Sequence, residues 1–234
     1  MISDELKKRA TELLARLDSE GLRKNIRQLE AETMHENFWK DPQAAAQDYL
    51  ARGEQHLANK KIPEAIIEYR RAVQADPRLG KARLRLAEAY AETGDGANAL
   101  REYVRAAELL PDDNDAQLKA GNFLLLSGLY QDAQGLGQRM LARSPGNVDA
   151  QILVANALAG LKDTEGAVAA YERAIDMDPS RAEAYSSLGA VELVRGDHAK
   201  AEAAYNKAIE TNPKSPRAYV ARGNYKWAIG DVAA

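Results

Sequence analysis

Proline recurs every 34 residues through most of the chain. Five prolines occupy the same register without an insertion or a deletion: Pro77, Pro111, Pro145, Pro179 and Pro213. A fixed period of this length is typical of repeat proteins, in which each repeat is one supersecondary unit that stacks on its neighbours. Proline stops a helix because it has no N–H to donate and clashes with the preceding turn. The period therefore predicts a series of helical units, each ending at a proline.

Other columns of the same period hold small or aromatic residues. Alanine fills one column in all five repeats: Ala65, Ala99, Ala133, Ala167 and Ala201. Tyrosine fills another column in four of the five: Tyr69, Tyr103, Tyr171 and Tyr205. A third column is Gly or Ala throughout, and a turn column has glycine at Gly94, Gly128, Gly196 and Gly230. Small residues let helices approach closely, tyrosine fills the space between adjacent units, and a left-handed glycine ends a helix. The columns predict closely packed helix pairs.

The composition restricts the possible partners and chemistry. The chain is 45% hydrophobic but only 6% aromatic, a balance that favours close-packed helices. It has no cysteine, which excludes disulfides and cysteine-based zinc sites or nucleophiles. Its 32 Lys and Arg nearly cancel 35 Asp and Glu, so no nucleic acid partner is expected. The charged N-terminus is unlike a signal peptide, and no apolar run approaches the roughly 18 residues of a membrane span. We expect no membrane association and a cytoplasmic location.

The repeat resembles the tetratricopeptide repeat (TPR), on its period, its columns and units such as Ala182-Glu-Ala-Tyr-Ser-Ser-Leu-Gly189. The resemblance implies an all-α protein, an α-solenoid of antiparallel helix pairs in a right-handed superhelix whose first helices line a concave groove. Family members generally bind peptide segments or partner proteins in that groove and are rarely catalytic. We expect five full repeats and a half repeat, preceded by a short N-terminal helical hairpin. The predicted repeats span 46–79, 80–113, 114–147, 148–181 and 182–215, with a partial repeat at 216–234.

Residues 1–45 differ from the rest of the chain. Alanine becomes frequent only beyond Asp41-Pro42, which places a domain boundary near residue 45. Leucine and isoleucine at helical spacing predict two short helices. The stretch 29–42, which contains Phe38-Trp39-Lys-Asp-Pro42, looks like the start of bacterial peptide chain release factor 2. The chain has no Gly-Gly-Gln, the element with which such factors promote hydrolysis. We expect the segment to pack on the first repeat through Phe38 and Trp39.

Candidate catalytic and metal sites are absent from the sequence pattern. The three histidines have no metal-ligand spacing, and the acidic stretch 111–115 lacks the spacing, central glycine and distal glutamate of a calcium loop. We interpret that stretch as a helix cap. The glycine pairs are too short for phosphate loops, and no Gly-x-Ser-x-Gly elbow occurs. We therefore expect no catalytic residue, no metal, no cofactor and no enzymatic activity.

The predicted groove face is apolar with an intermittent row of asparagines, because residues four and seven apart share one face of a helix. The candidate groove residues are Leu84, Leu118, Asn122, Leu125, Ile152, Asn156, Leu193 and Asn224. An exposed apolar stripe commonly marks a binding site. The alternative is that it packs against the chain's own next helix. The basic clamp with which some family members hold acidic C-termini is not reproduced, since Lys119 alone has a suitable charge.

These observations favour a non-catalytic interaction scaffold that binds a protein or peptide segment, as a monomer or weak homo-oligomer. Two alternatives remain: a fragment of a translation- or ribosome-associated factor, or a structural fusion with no ligand of its own. The third repeat is the predicted weak point, because Gly137 replaces the column tyrosine and Gly135 adds a second helical glycine. Met140 is expected to refill part of the missing volume.

Overall fold

The computed structural model describes residues 41–231 of the 234-residue chain. Within that range the ordered elements are all helices, which confirms the all-α class. The helices are α1 (Pro42–Ala58), α2 (Ile62–Ala75), α3 (Gly80–Glu92), α4 (Gly96–Leu109), α5 (Asn114–Leu126), α6 (Tyr130–Arg143), α7 (Val148–Gly160), α8 (Thr164–Met177), α9 (Ala182–Arg195), α10 (His198–Thr211) and α11 (Pro216–Ala228).

The described residues form two compact units that divide after Ala82, within α3. The first unit holds the α1–α2 hairpin. In the second unit the successive hairpins pack in chain order, with α5 against α7 and α9 against α11. This arrangement is that of an α-solenoid, as predicted.

The predicted turn column takes the left-handed conformation in every described repeat. Gly94, Gly128, Gly196 and Gly230 have φ values from 72° to 82°. Two repeats have lysine in this column, and Lys60 and Lys162 adopt φ values of 58° and 64°. The turn geometry is therefore kept even where glycine is absent, because closing the helix pair requires it.

Polar residues begin most of the helices. The Asp113 carboxylate accepts a hydrogen bond from the backbone N–H of Ala116 at 3.0 Å, so the acidic stretch does cap a helix there. Asp41 caps α1 in the same way, accepting from the N–H of Ala44 at 3.0 Å. Pro42 follows as the first helical residue, where its missing N–H costs nothing.

The alanine and tyrosine columns form the core. All five alanines of the alanine column are 0% exposed. The column tyrosines pack on the small-residue column, as Tyr205 does against Gly189, where an added Cβ would lie 3.0 Å from the ring. In the first unit, a Cβ on Gly53 would collide with the ring of Tyr69. Helix pairs are therefore held at a separation that only a residue without a side chain permits in these two repeats.

In the third repeat a leucine of the next repeat compensates for the missing tyrosine, which the sequence pattern did not predict. A Cβ on Gly121 would collide with Leu153 of the next repeat, so Leu153 takes the place that a column tyrosine occupies elsewhere. The same position is Ala, Arg, Lys or Ser in the other repeats. Gly137 lets α7 approach α6, because its added Cβ would lie 2.7 Å from Val154 Cγ2. Met140 is also buried, as expected, at 4% exposure.

Several predictions concern residues outside the described range. The N-terminal hairpin, the contacts of Phe38 and Trp39, and the similarity to release factor 2 fall on residues 1–45, of which the structure describes 41–45 alone. They stay predictions, as does the domain boundary near residue 45.

Replacing Gly137 by alanine should destabilise the protein, although alanine is the better helix former. The added Cβ would lie 2.7 Å from Val154 Cγ2 and 3.2 Å from the backbone oxygen of Ala150. Overpacking of this kind costs about 1 to 3 kcal/mol. Gly135→Ala is the matched control on the same helix, because its nearest added contact is Arg139 Nη1 at an ordinary 3.5 Å. That control should gain up to about 1 kcal/mol. Urea unfolding measures both, and a Gly137→Ala variant as stable as Gly135→Ala would contradict this packing.

The stability of the protein should fall as the pH rises from 10 to 12, and Tyr171 should account for part of the fall. Burial raises the pKa of Tyr171 to about 12, from an ordinary value of 10.0. Above pH 10 the unfolded chain releases this proton while the folded chain keeps it. The stabilisation is therefore complete below pH 10 and is lost as the pH approaches 12, by about 2 to 3 kcal/mol.

The comparison for this test is Tyr171→Phe, which has no proton to release at this position. Urea unfolding of both proteins at pH 9 and at pH 11.5 gives the difference. The variant should lose less stability between the two pH values than the unsubstituted protein. Equal losses would show that Tyr171 ionises alike in the folded and unfolded states.

Candidate functional site

The candidate site is the exposed side of the first helices in the second unit, which we call the first-helix face. On α5 the residues Ala116, Ala120 and Leu124 are buried against the core. Asn122 lies on the opposite side of the helix and is exposed, with Leu118 and Leu125 half-buried beside it. Since α5 packs against α7, the corresponding residues of the next repeat continue this face.

The predicted groove residues differ in their exposure. Leu84 and Ile152 are buried in the core of the second unit, at 7% and 5% exposure. They belong to two core clusters, in which Leu84 lies with Tyr103 and Ile152 with Tyr171. Leu118 and Leu125 pack on the first of these clusters but keep part of their surface in solvent. Most of the side-chain surface of Leu84 and Ile152 is thus covered by other residues of the chain, which agrees with the alternative that the stripe packs within the protein.

Asn156 is held in place by the core tyrosine of its own repeat. The Tyr171 hydroxyl donates to Asn156 Oδ1 at 2.5 Å. Because the side-chain carbonyl accepts this hydrogen bond, the two N–H groups of the Asn156 amide remain as donors for another partner. Asn122 is exposed and has no such fixed orientation from a tyrosine, since its own repeat carries Gly137 instead.

An ion pair joins α3 and α5 on the first-helix face, and the sequence analysis missed it. Lys119 Nζ donates to Glu88 Oε1 at 2.5 Å and lies 2.7 Å from Asp115 Oδ2. Arg85 donates to Glu88 Oε2 at 2.9 Å. Burial works against the Lys119 ammonium, but its hydrogen bonds to the two carboxylates outweigh burial and raise the pKa of Lys119.

A spacing rule could have found this pair. Glu88 and Lys119 are separated by 31 residues, which is one repeat less three positions. Residues three apart share one side of a helix, so this spacing brings together side chains on neighbouring first helices. The charges on this part of the face are thus paired within the protein.

The remaining predicted residues lie at the C-terminal end of the second unit. Leu193 on α9 is half-buried and packs on the cluster that contains Tyr205 and Tyr225, while Asn224 on α11 is exposed. Val220 occupies the same position in its repeat as Leu118 and Ile152, and Trp227 the same position as Leu125 and Leu193. They are 61% and 76% exposed. The site residues therefore fall into a central group on α3, α5 and α7 and a separate group on α9 and α11.

The described residues were compared with the patterns of a metal site and of a membrane-spanning helix. Between residues 41 and 231, no group of three or more acidic, histidine or cysteine side chains is arranged to hold a metal ion. In the same range, none of the helices is both long and apolar enough to cross a bilayer.

Solved structures with the same fold include several repeat proteins. A tetratricopeptide repeat protein from Parabacteroides merdae is 18% identical, with a TM-score of 0.68 over 97% of this chain and 87% of that one. MamA from Desulfovibrio magneticus is 22% identical, with a TM-score of 0.63 over 73% and 97%. YrrB, described as a TPR protein with an unusual peptide-binding site, is 18% identical, with a TM-score of 0.60 over 74% and 90%. At these identities the likeness shows the fold alone.

Sequence comparison gives the family. Mouse (Mus musculus) superkiller complex protein 3 is 31% identical over 90 residues, which is 38% of this chain and 6% of that relative. The chain thus spans a small part of the length of this relative. The tetratricopeptide repeat family matches residues 50–113, 84–148 and 154–216, which together make up most of the chain. With these matches and the stacked helical hairpins, the chain belongs to the tetratricopeptide repeat family.

Proposed function

We propose that the protein is a non-catalytic interaction scaffold that binds an extended segment of a partner protein on the first-helix face of α5 and α7. The observation that carries this proposal is the exposure of Asn122 between two half-exposed leucines, Leu118 and Leu125. An exposed amide flanked by accessible apolar surface is suited to a peptide, which offers both a polar backbone and apolar side chains.

The two asparagines would have different roles in this site. Asn156 has its side-chain carbonyl fixed by the Tyr171 hydroxyl, so it would donate an N–H to a backbone carbonyl of the peptide. Asn122 is free to offer either group. Because such bonds are made to the peptide backbone, they would supply affinity with little selection among side chains.

Apolar burial would supply the rest of the affinity. Leu118 and Leu125 present surface for one or two apolar side chains of the partner. Leu84 and Ile152 would support this surface from the core and would not contact the partner, since both are buried. The Glu88–Lys119 pair is satisfied within the protein, so we expect it to border the site without attracting a charged partner.

The family adds support of a general kind. One solved structure with the same fold is described as having a peptide-binding site.

Substitutions on the first-helix face should weaken a peptide obtained by display selection on the full chain. Asn122→Ala and Asn156→Ala should each cost about 1 kcal/mol through a lost hydrogen bond. Leu118→Asp should cost more, because it places a charge in an apolar site. Gln138→Ala, which removes an exposed amide from α6, is the control and should change nothing. Fluorescence anisotropy gives the affinities, and thermal unfolding checks that each variant remains folded.

Two results would contradict the proposal. The first is a selected peptide whose affinity is unchanged by Asn122→Ala, Asn156→Ala and Leu118→Asp. The second is binding that moderate salt abolishes, because salt screens charges and the proposed contacts are neutral.

A further inference from the structure

A cavity of about 820 Å³ lies between α4 and α6, the second helices of repeats two and three. Leu100 and Val104 of α4 line one side, and Leu136 of α6 lines the other. A smaller cavity of about 340 Å³ at the inter-repeat loops shares Pro111, Gln117 and Arg143 with it, so the two lie side by side. This lining does not include the residues that would contact a peptide on the first-helix face, which are Leu118, Asn122, Leu125 and Asn156.

Gly135 is the reason for open space beside α6. Its added Cβ would have no neighbour nearer than Arg139 Nη1, at 3.5 Å. The other full repeats carry isoleucine, arginine or alanine at this position. The opening is therefore a feature of the third repeat and not of the repeat in general.

The cavity has a positive lining. Four arginines line it, Arg101, Arg105, Arg139 and Arg143, together with the carboxylates of Glu108 and Asp132. Arg101 donates to Glu102 at 3.2 Å, just outside the lining, so the cavity keeps an excess of one positive charge. Arg105 donates to Glu108 at 2.8 Å, three residues along the same helix. Arg143 donates to the Pro111 backbone oxygen at 3.1 Å, a contact that leaves its charge uncompensated.

Arg139 lacks the carboxylate that follows its column three residues later in most of the other full repeats. Arginine or lysine occupies this column in every full repeat, and an acidic residue follows three positions later in repeats two, four and five: Glu108, Asp176 and Glu210. In the third repeat that position is Ala142. Within residues 41–231 no hydrogen bond or ion pair is formed by the Arg139 guanidinium, which lies beside Gly135 at the cavity.

The shape of the lining favours a rod-like occupant. Lining residues run from Ala97 to Glu108 on α4 and from Gln131 to Arg143 on α6. At 1.5 Å per residue this is a length of about 17 Å, or three helical turns. An apolar floor with basic groups along both sides matches a helix that has an apolar stripe flanked by carboxylates. Arginine binds such carboxylates through paired N–H groups.

We propose that the cavity between α4 and α6 is a second binding site, and that its occupant is an acidic amphipathic helix of a partner protein. The apolar stripe of this helix would contact Leu100, Val104 and Leu136, and one of its carboxylates would pair with Arg139. The proposal does not depend on the function of the first-helix face: the cavity also touches α5, but through Gln117, Ala120 and Leu124, on a different side of that helix from Asn122.

The test is a display selection of helix-forming 18-residue peptides on the full chain, followed by anisotropy measurements. We expect enriched peptides with apolar residues at spacings of three and four, flanked by Asp or Glu. Arg139→Glu should weaken these peptides by about tenfold or more, because it puts like charges together. Arg173→Glu is the matched control, since Arg173 occupies the same column one repeat later, is exposed and lies outside the cavity lining. This variant should bind within about twofold of the original affinity, because it changes an exposed charge outside the cavity, which salt screens.

A second pair of variants tests the space itself. Gly135→Trp should fill the cavity and abolish binding without disturbing the core, because its Cβ position is open. Gly135→Ala should preserve binding. Thermal unfolding checks both variants.

Four outcomes would overturn the proposal. One is the absence of acidic amphipathic sequences among the enriched peptides. Another is enriched peptides that bind Arg139→Glu and Gly135→Trp as tightly as the original protein. The third is that sodium dodecanoate binds in a manner blocked by Gly135→Trp while no peptide is enriched, since the occupant would then be a small amphiphile. Peptides weakened by Asn122→Ala alone would support the function of the first-helix face and also overturn this second site.

Discussion

The close approach of the two helices in each repeat is the constraint on which the rest of the structure depends. The five alanines of the alanine column are completely buried, and larger side chains there would force the helices apart. At this separation each column tyrosine can lie against the small residue of the first helix, as Tyr205 does on Gly189. The first helices then carry their remaining residues on the outer side, where a partner can reach them.

The third repeat shows how this constraint is met when one of its parts is missing. With Gly137 in place of tyrosine, Leu153 of the following repeat lies over Gly121, and Val154 packs against Gly137. The core of the second unit is thus continued by a residue of another repeat. The loss of a large side chain inside the repeat does not leave an internal void at this place, while Gly135 leaves open space on the other side of the same helix.

The two proposed sites differ in charge because the charged side chains around them are paired in one site and partly unpaired in the other. On the first-helix face, the charges of Glu88 and Lys119 neutralise each other, so neutral amides and leucines would bind a partner. Between α4 and α6, Arg139 has no carboxylate three residues ahead, and the lining keeps a positive charge. A scaffold with these two surfaces could hold a neutral extended segment and an acidic helix at the same time.

The sequence by itself determined the helices, their pairing, the left-handed turn column and the capping role of Asp113, since these depend on local backbone geometry and on a period that repeats five times. It also placed Asn122 and Leu118 on one helix face. Only the tertiary structure decided that Leu84 and Ile152 are buried, that Tyr171 holds Asn156, and that Leu153 replaces a tyrosine. The reason is that exposure and partners depend on which side chain of a neighbouring helix fills the space, and a column pattern read one repeat at a time does not contain that information.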